Sequence, residues 1–273
     1  MSGIDDSILL SVNRIRTTFR DLLGVEQRGA GTGFWVSLNQ KKTSVPAFVT
    51  NRHNLDPEML YPNQDYRLIR TEIQLRKQTA DDAELHRETS WISIPAEGWV
   101  LHPTADCAAI IDPKLAGQQQ GFLPFTAKVG IGNQYWLEHN VCVMDLASFI
   151  GFPGSEEVPW WDDYWTLPIS RLATLASIPS MPFVNKFIKS GHVGLVSGLS
   201  FLGSSGSPLL LHAGHQGPVP LDRTISSYRH PQIIGIMSGH FREKTTEPEM
   251  FRHSGLSYYT RGPAIREVLG LDP

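Results

Sequence analysis

Cysteine is scarce in this chain: Cys107 and Cys142 are the only two in 273 residues. Two thiols do not build a disulfide framework. Cys107 lies in the apolar run Asp106-Cys107-Ala108-Ala109-Ile110 and reads as a small buried hydrophobe. Neither cysteine has the glycine-bracketed turn that would present a nucleophile. Long apolar runs are also missing. No window approaches the ~20 apolar residues of a membrane span. The opening Met1-Ser2-Gly3-Ile4-Asp5-Asp6 is acidic, and it lacks the positive start and the apolar stretch of about 7–15 residues that mark a secretory signal. A cytoplasmic location is the expectation. Charge of one sign is lacking as well: the formal net charge is -3, and no run of Lys or Arg exceeds two. Neither nucleic acid nor an anionic membrane is an expected partner.

What is present is a packed-core composition, 41% apolar and 19% charged, which excludes disorder. Residues 7–24 carry Ile8, Leu9, Val12, Ile15, Phe19, Leu22 and Leu23 at helical spacing. The pattern then changes. Gly29-Ala30-Gly31-Thr32-Gly33 leads into Phe34-Trp35-Val36, and a polar turn separates this from Val45-Pro46-Ala47-Phe48-Val49-Thr50, a hairpin signal. The glycines have the wrong spacing for a dinucleotide loop and precede a strand, not a helix. Short strand candidates follow at Tyr66–Leu75, Trp91–Ile94, Cys107–Ile111, Val141–Ile150, Trp165–Ala173, Gly194–Val196, Pro208–Leu211, Gln232–Met237 and Leu256–Tyr259. Turn residues separate them, which indicates an all-β sandwich or barrel. Pro263 to Leu269 reads as a short terminal helix with Pro in its first turn and Gly270 beyond its end. The polar Gly117–Gly121 region divides the β-rich part. The expected organisation is a helical segment 1–28, a first β unit 29–117 and a second unit 118–273 that ends in the helix.

Three side chains form a chemical constellation. Gly203-Ser204-Ser205-Gly206-Ser207-Pro208 brackets a serine with glycines. Such a turn exposes the Ser205 hydroxyl and can aim the N–H groups of Gly203 and Ser205 at one point, as an oxyanion hole requires. A serine needs a base, and His53 follows the apolar strand that ends in Val49-Thr50. A base needs a carboxylate to fix its tautomer, and Asp106 opens the apolar strand that begins at Cys107. A Gly-Ser turn or a lone Asp before a strand is ordinary by itself. The order His53, Asp106, Ser205 in this setting is not, because it is the chain order of the chymotrypsin type.

These segments resemble the trypsin-like serine peptidase superfamily, especially its intracellular bacterial and HtrA-like branches. Gly31-Thr32-Gly33-Phe34-Trp35-Val36 resembles the opening strand. Val49-Thr50-Asn51-Arg52-His53, Asp106-Cys107-Ala108 and Gly203 to Pro208 resemble the three catalytic segments. Ile234-Gly235-Ile236-Met237-Ser238-Gly239 resembles the strand beside which substrate backbone lies, and Gly255-Leu256-Ser257-Tyr258 precedes a terminal helix as in that superfamily. The resemblance spans residues 29 to 269. It implies a double six-stranded antiparallel β-barrel with N-terminal and C-terminal helices. It also implies a serine endopeptidase that works through an acyl-enzyme on a polypeptide substrate, with no cofactor and no metal.

Departures from the pattern carry expectations too. Zymogen-activated members have Asp just before the nucleophile, where this chain has Ser204, so no cleavage-generated N-terminus is needed. Control is then expected in the loop Leu195 to Gly203 or in a regulatory protein partner that docks at Trp160, Trp161 and Trp165. The resemblance places Leu199 at the floor of the first specificity pocket, with Ser238, Gly239 and His240 along its wall. An apolar floor disfavours Lys and Arg. Small or apolar side chains are the first expectation and Glu or Gln the second. The alternative to an active peptidase is a gated or inactive protease-fold module that acts through a partner. His212 and His215 lack the helix and the third ligand of a zinc site.

Overall fold

The computed structural model describes residues 7–40, 43–77, 87–111, 126–186, 188–215, 228–244 and 251–273. Two seven-stranded sheets dominate it. The first holds β1 (Val12–Arg20), β2 (Glu26–Gln40), β3 (Thr43–Thr50), β4 (Arg67–Arg76), β5 (Thr89–Ile94), β6 (Trp99–Leu101) and β7 (Ala108–Ile111). Its order is β5-β4-β1-β2-β3-β7-β6. The second holds β8 (Gly130–Ile131), β9 (Leu146–Gly151), β10 (Ile169–Leu175), β11 (Val193–Ser197) and β12 (Pro208–Leu211). After a separate two-strand ribbon, β13 (Gly214–His215) with β14 (Tyr228–Arg229), it continues with β15 (Gln232–Lys244) and β16 (Phe251–Arg261). Hydrogen bonding runs β12-β9-β10-β11-β16-β15 and returns from β15 to β12, so six strands close on themselves. β8 joins β15 in parallel as the seventh. Helices are short: α1 (Ser7–Ser11), α2 (Pro57–Leu60), α3 (Gln134–Asn140) and α4 (Gly262–Val268). Among the described residues no helix is long and apolar enough to cross a membrane.

Alternation explains why so many strands read as unbroken apolar runs. Trp35 and Phe48 point into a core enclosed by the first sheet, with Ile15, Ile73 and Leu75. Their neighbours Phe34, Val36, Ala47 and Val49 point the other way, into a core between the sheets, where they meet Ile150, Leu210, Ile236 and Ile265. Leu209 and Leu211 turn from Leu210 into a third core with Phe149, Val196, Ile234 and Tyr259. A strand buried on both faces has no polar side to show.

The N-terminal expectation needs correction. The helix stops at Ser11, and Val12–Arg20 is a central strand paired on both sides, to β2 and β4. Ile15, Thr17 and Phe19 alternate along one buried face, a pattern hidden by one threonine, and Thr18 between them is buried as well. The β-branched Ile15, Thr17 and Thr18 favour a strand. Arg14 and Arg16 lie over the Trp91 ring, and Arg16 is bonded to Glu72 of β4 at 2.8 Å. Each sheet carries seven strands where six were expected. Residues 141–145 and 165–168 lie outside strands, and 134–140, expected as no element, form α3. Asn133 caps that helix by accepting a bond from the Trp136 N–H. The expected boundary at 117/118 falls outside the described residues.

Candidate active site

Strand β3 ends at Thr50, and a single 3₁₀ turn, Arg52–Asn54, places His53 at the edge of the first sheet. Asp106 precedes β7, the neighbour of β3. The two meet twice. The backbone N–H of His53 donates to Asp106 Oδ1 at 2.9 Å, and Nδ1 of the ring lies 2.7 Å from Oδ2. With Nδ1–H held by the carboxylate, Nε2 keeps its lone pair. Burial alone would lower the His53 pKa. The charge of Asp106 and its hydrogen bond more than offset this, and the pKa ends above the usual 6.5.

Asp106 is itself anchored. Its carbonyl accepts bonds from Asn51 Nδ2 at 2.9 Å and Thr260 Oγ1 at 3.2 Å. Asn51 is fully buried and also donates to Ser238 Oγ of β15, so one amide joins the first sheet, the Asp106 loop and the second sheet. Further up that loop, the N–H groups of Thr104 and Ala105 both donate to Nδ1 of the buried His102, whose Nε2 lies 2.8 Å from Glu267 on α4.

The Ser205 turn is held from both sheets. Thr32 N–H, on β2, donates to Ser205 O at 2.8 Å, and Gly206 N–H donates to Met237 O of β15 at 2.9 Å. Thr32 Oγ1 donates to Gly203 O at 2.7 Å, which turns that carbonyl toward the first sheet. Gly203 and Gly206 have φ of +84° and +92°, a region that side chains disfavour. A Cβ on Gly206 would fall 1.7 Å from Thr32 O, and one on Gly203 would fall 2.3 Å from Phe152 O. Between Gly203 and Ser207, the N–H groups of Ser204, Gly206 and Ser207 are bonded to protein carbonyls. Those of Gly203 and Ser205, the expected oxyanion pair, have no partner among the described residues. Ser205 and His53 thus share one corner: Asn54, next to His53, reaches Ser205 O with Nδ2 at 3.5 Å. No hydrogen bond joins Ser205 Oγ to the imidazole among the described residues. In unliganded hydrolases that bond is often long and closes with substrate.

A cleft of about 340 Å³ opens beside Ser205. Ser238, Gly239 and His240 line it as expected. Leu199 does not line it and is 47% exposed. Its neighbour Ser200 turns inward instead and is 2% exposed, drawn by bonds from its N–H and to its Oγ from Ser257 Oγ. Arg242 and Tyr258 complete this side. The sequence reading missed Thr32, Asn51, Ser200, Ser257 and His253. Only Thr32, Asn51 and Ser257, inside recognised segments, gave any local signal.

Other candidates separate clearly. Cys107 is fully buried, and burial, then Asp106 and Glu267, raise its thiol well above 9.0, so it stays protonated. His102, His192 and Glu267 bring one ligand atom each within 4.8 Å of one another, a cluster absent from the sequence reading. The two N–H bonds to His102 Nδ1 place its proton on Nε2, facing Glu267. That ring presents a donor, not a metal-binding lone pair. His212 Nε2 bonds Ser148 Oγ, while the side chain of His215 lies outside the described residues. Of the expected docking rings, Trp161 is buried in the core between the sheets beneath Arg14, and Trp160 is half exposed against Phe201. The expected control loop is shorter than read, because Leu195–Ser197 belongs to β11 and pairs with β16.

The structure resembles two solved structures of the HtrA-type protease AlgW with a decapeptide, one of them a point variant. The TM-score is 0.52 for each, at 13% and 12% identity, over 97% of this chain. The chain spans 64% and 65% of the length of those two chains, just under two thirds. No protein-family model and no curated sequence matches the chain. At this identity the likeness establishes the fold. It is a chymotrypsin-like fold, shared with that HtrA-type protease.

Proposed function

We propose that the chain is a serine endopeptidase with His53, Asp106 and Ser205 as its catalytic triad. The observation that carries this is the pair of hydrogen bonds from His53 to Asp106 beside a glycine-bracketed Ser205 turn whose Gly203 and Ser205 N–H groups have no partner among the described residues. Nε2 of His53 takes the Ser205 proton as Oγ attacks the scissile carbonyl. Asp106 holds the imidazole orientation and stabilises the imidazolium. The two N–H groups receive the negative charge that develops on the carbonyl oxygen. The imidazolium then protonates the departing amine, and water, activated by the same ring, releases the acyl group from Ser205.

A polypeptide substrate is proposed from the likeness to AlgW, which was solved with a decapeptide. Its backbone would lie along Ser238–Gly239 at the mouth of the cleft. The test is hydrolysis of an unbiased peptide library by the purified chain and by Ser205→Ala. Removing the nucleophile of a concerted triad lowers kcat by about 10⁶. Cleavage retained by Ser205→Ala overturns the assignment.

A further inference from the structure

Behind the cleft next to Ser205 lies a polar array built without any acid. Ser200 Oγ is 3.4 Å from His240 Nδ1 and accepts a bond from Ser257 Oγ at 3.0 Å. Ser257 in turn lies 3.3 Å from His253 Nε2. The two imidazoles stack, 4.3 Å between centroids and 20° between planes. Gly255 N–H donates to His253 Nδ1 at 2.9 Å and Ser200 N–H to His253 Nε2 at 3.2 Å, so a backbone donor faces each ring nitrogen. Arg242, on the same strand as His240, lines the cleft, is exposed and has no ion pair among the described residues. Arg171 lies over Phe201 on the other side, and its Nη1 is buried with no hydrogen-bond partner.

The charges acting on these rings are all of one sign. Burial first, then His253 and Arg242, lower the His240 pKa; burial first, then Arg171, lower that of His253. No carboxylate contributes to either. Ser200, His240 and Arg242 line the cleft, His253, Ser257 and Arg171 stand behind them, and no carboxylate is among the lining residues. The Ser200 hydroxyl, whose carbonyl acceptor Gly239 O is 3.4 Å away, and the His240 imidazole can both present a donor to the cleft, and a carboxylate accepts several such bonds at once. An apolar occupant would instead leave the polar atoms of Ser200 and His240 desolvated, at a cost.

We propose that this cleft selects an acidic side chain, glutamate or aspartate, in the substrate residue on the acyl side of the cut, with His240, Ser200 and Arg242 as the residues that set the preference. This rests on the peptidase reading of Ser205 and gives that site its substrate class. It sets aside the first expectation, small or apolar, drawn from Leu199, and narrows the second, Glu or Gln, since the side chain that turns into the cleft is Ser200.

The experiment compares kcat/KM for one peptide varied only at that residue, as Glu, Asp, Gln, Ala, Val and Lys, with the full chain. A charge-assisted hydrogen bond contributes about 1.5–3 kcal/mol, so the better acidic peptide should exceed the Gln peptide by about 10- to 100-fold. His240→Gln and Arg242→Gln should each lower that ratio. A second arm needs no catalysis: Ser205→Ala should bind a peptide ending in Glu or Asp more tightly than one ending in Gln. Equal rates and equal binding for acid and amide, or a preference for Val or Ala, overturn the proposal while leaving the peptidase reading intact. Absence of hydrolysis and of Ser205 labelling by a fluorophosphonate overturns the peptidase reading. The binding arm then still decides whether the cleft takes a carboxylate.

Discussion

Asp106 accepts two hydrogen bonds from one residue, and they serve different ends. The backbone bond fixes where His53 sits, and the ring bond fixes which nitrogen is free. Asp106→Asn keeps an oxygen for the first and loses the charge behind the second. The expected fall in kcat is on the order of 10⁴, as for a wrong tautomer in a triad of this kind. The pH profile carries the sign. A raised His53 pKa puts the acid limb of kcat/KM above pH 6.5, because the base works only when neutral. In Asp106→Asn any residual activity should show that limb moved to lower pH. Stability moves oppositely. The bond between charged His53 and Asp106 stabilises the fold fully below the unfolded pKa and is lost as pH rises through the raised folded value. The loss of Tm in Asp106→Asn should therefore be larger near about pH 6 than near about pH 9. A penalty independent of pH would show that the charge on Asp106 does not act on His53.

Turns and strands differ in how plainly they announce themselves. Gly206 has a positive φ and no room for a Cβ beside Thr32 O. Gly206→Ala should cost at least about 2 kcal/mol and abolish hydrolysis, because the clash can be relieved only by moving Ser205. Urea denaturation and a peptide assay together check this; wild-type turnover in that variant would mean the turn is not the catalytic element. Such positions were legible because glycine is a statement about backbone shape. The strand β1 was not legible. Val12, Ile15 and Phe19 repeat at helical intervals, and the true alternation passes through Thr17, a polar residue that is nonetheless 3% exposed. What makes it a strand is its place between β2 and β4, a tertiary fact. If Phe19 is a core residue, Phe19→Ala should lower stability by about 3–5 kcal/mol; a loss within ~0.5 kcal/mol, typical of surface sites, would return it to the surface. The cleft was partly legible. Ser238 to His240 follow from their strand, whereas Ser200 and His253 are brought there by hydrogen bonds between distant segments, which no local pattern encodes.

At the scale of the whole molecule, both sheets contribute to the proposed site. The first supplies His53, Asp106 and the Thr32 clamp; the second supplies Ser205 and the cleft. The core between them, with Val49 and Cys107 from one side and Leu210 and Ile236 from the other, sets their separation. Asn51 bridges the seam to Ser238, and Glu267 on the terminal helix steadies the loop that carries Asp106. The central claim is that this assembly activates one hydroxyl among many. It is tested most directly by treating the purified chain with a fluorophosphonate near pH 8 and mapping the modified residue by mass spectrometry. The account predicts labelling at Ser205, lost in Ser205→Ala and strongly slowed in His53→Ala. Labelling at another serine, or none in the folded wild-type chain, would contradict it.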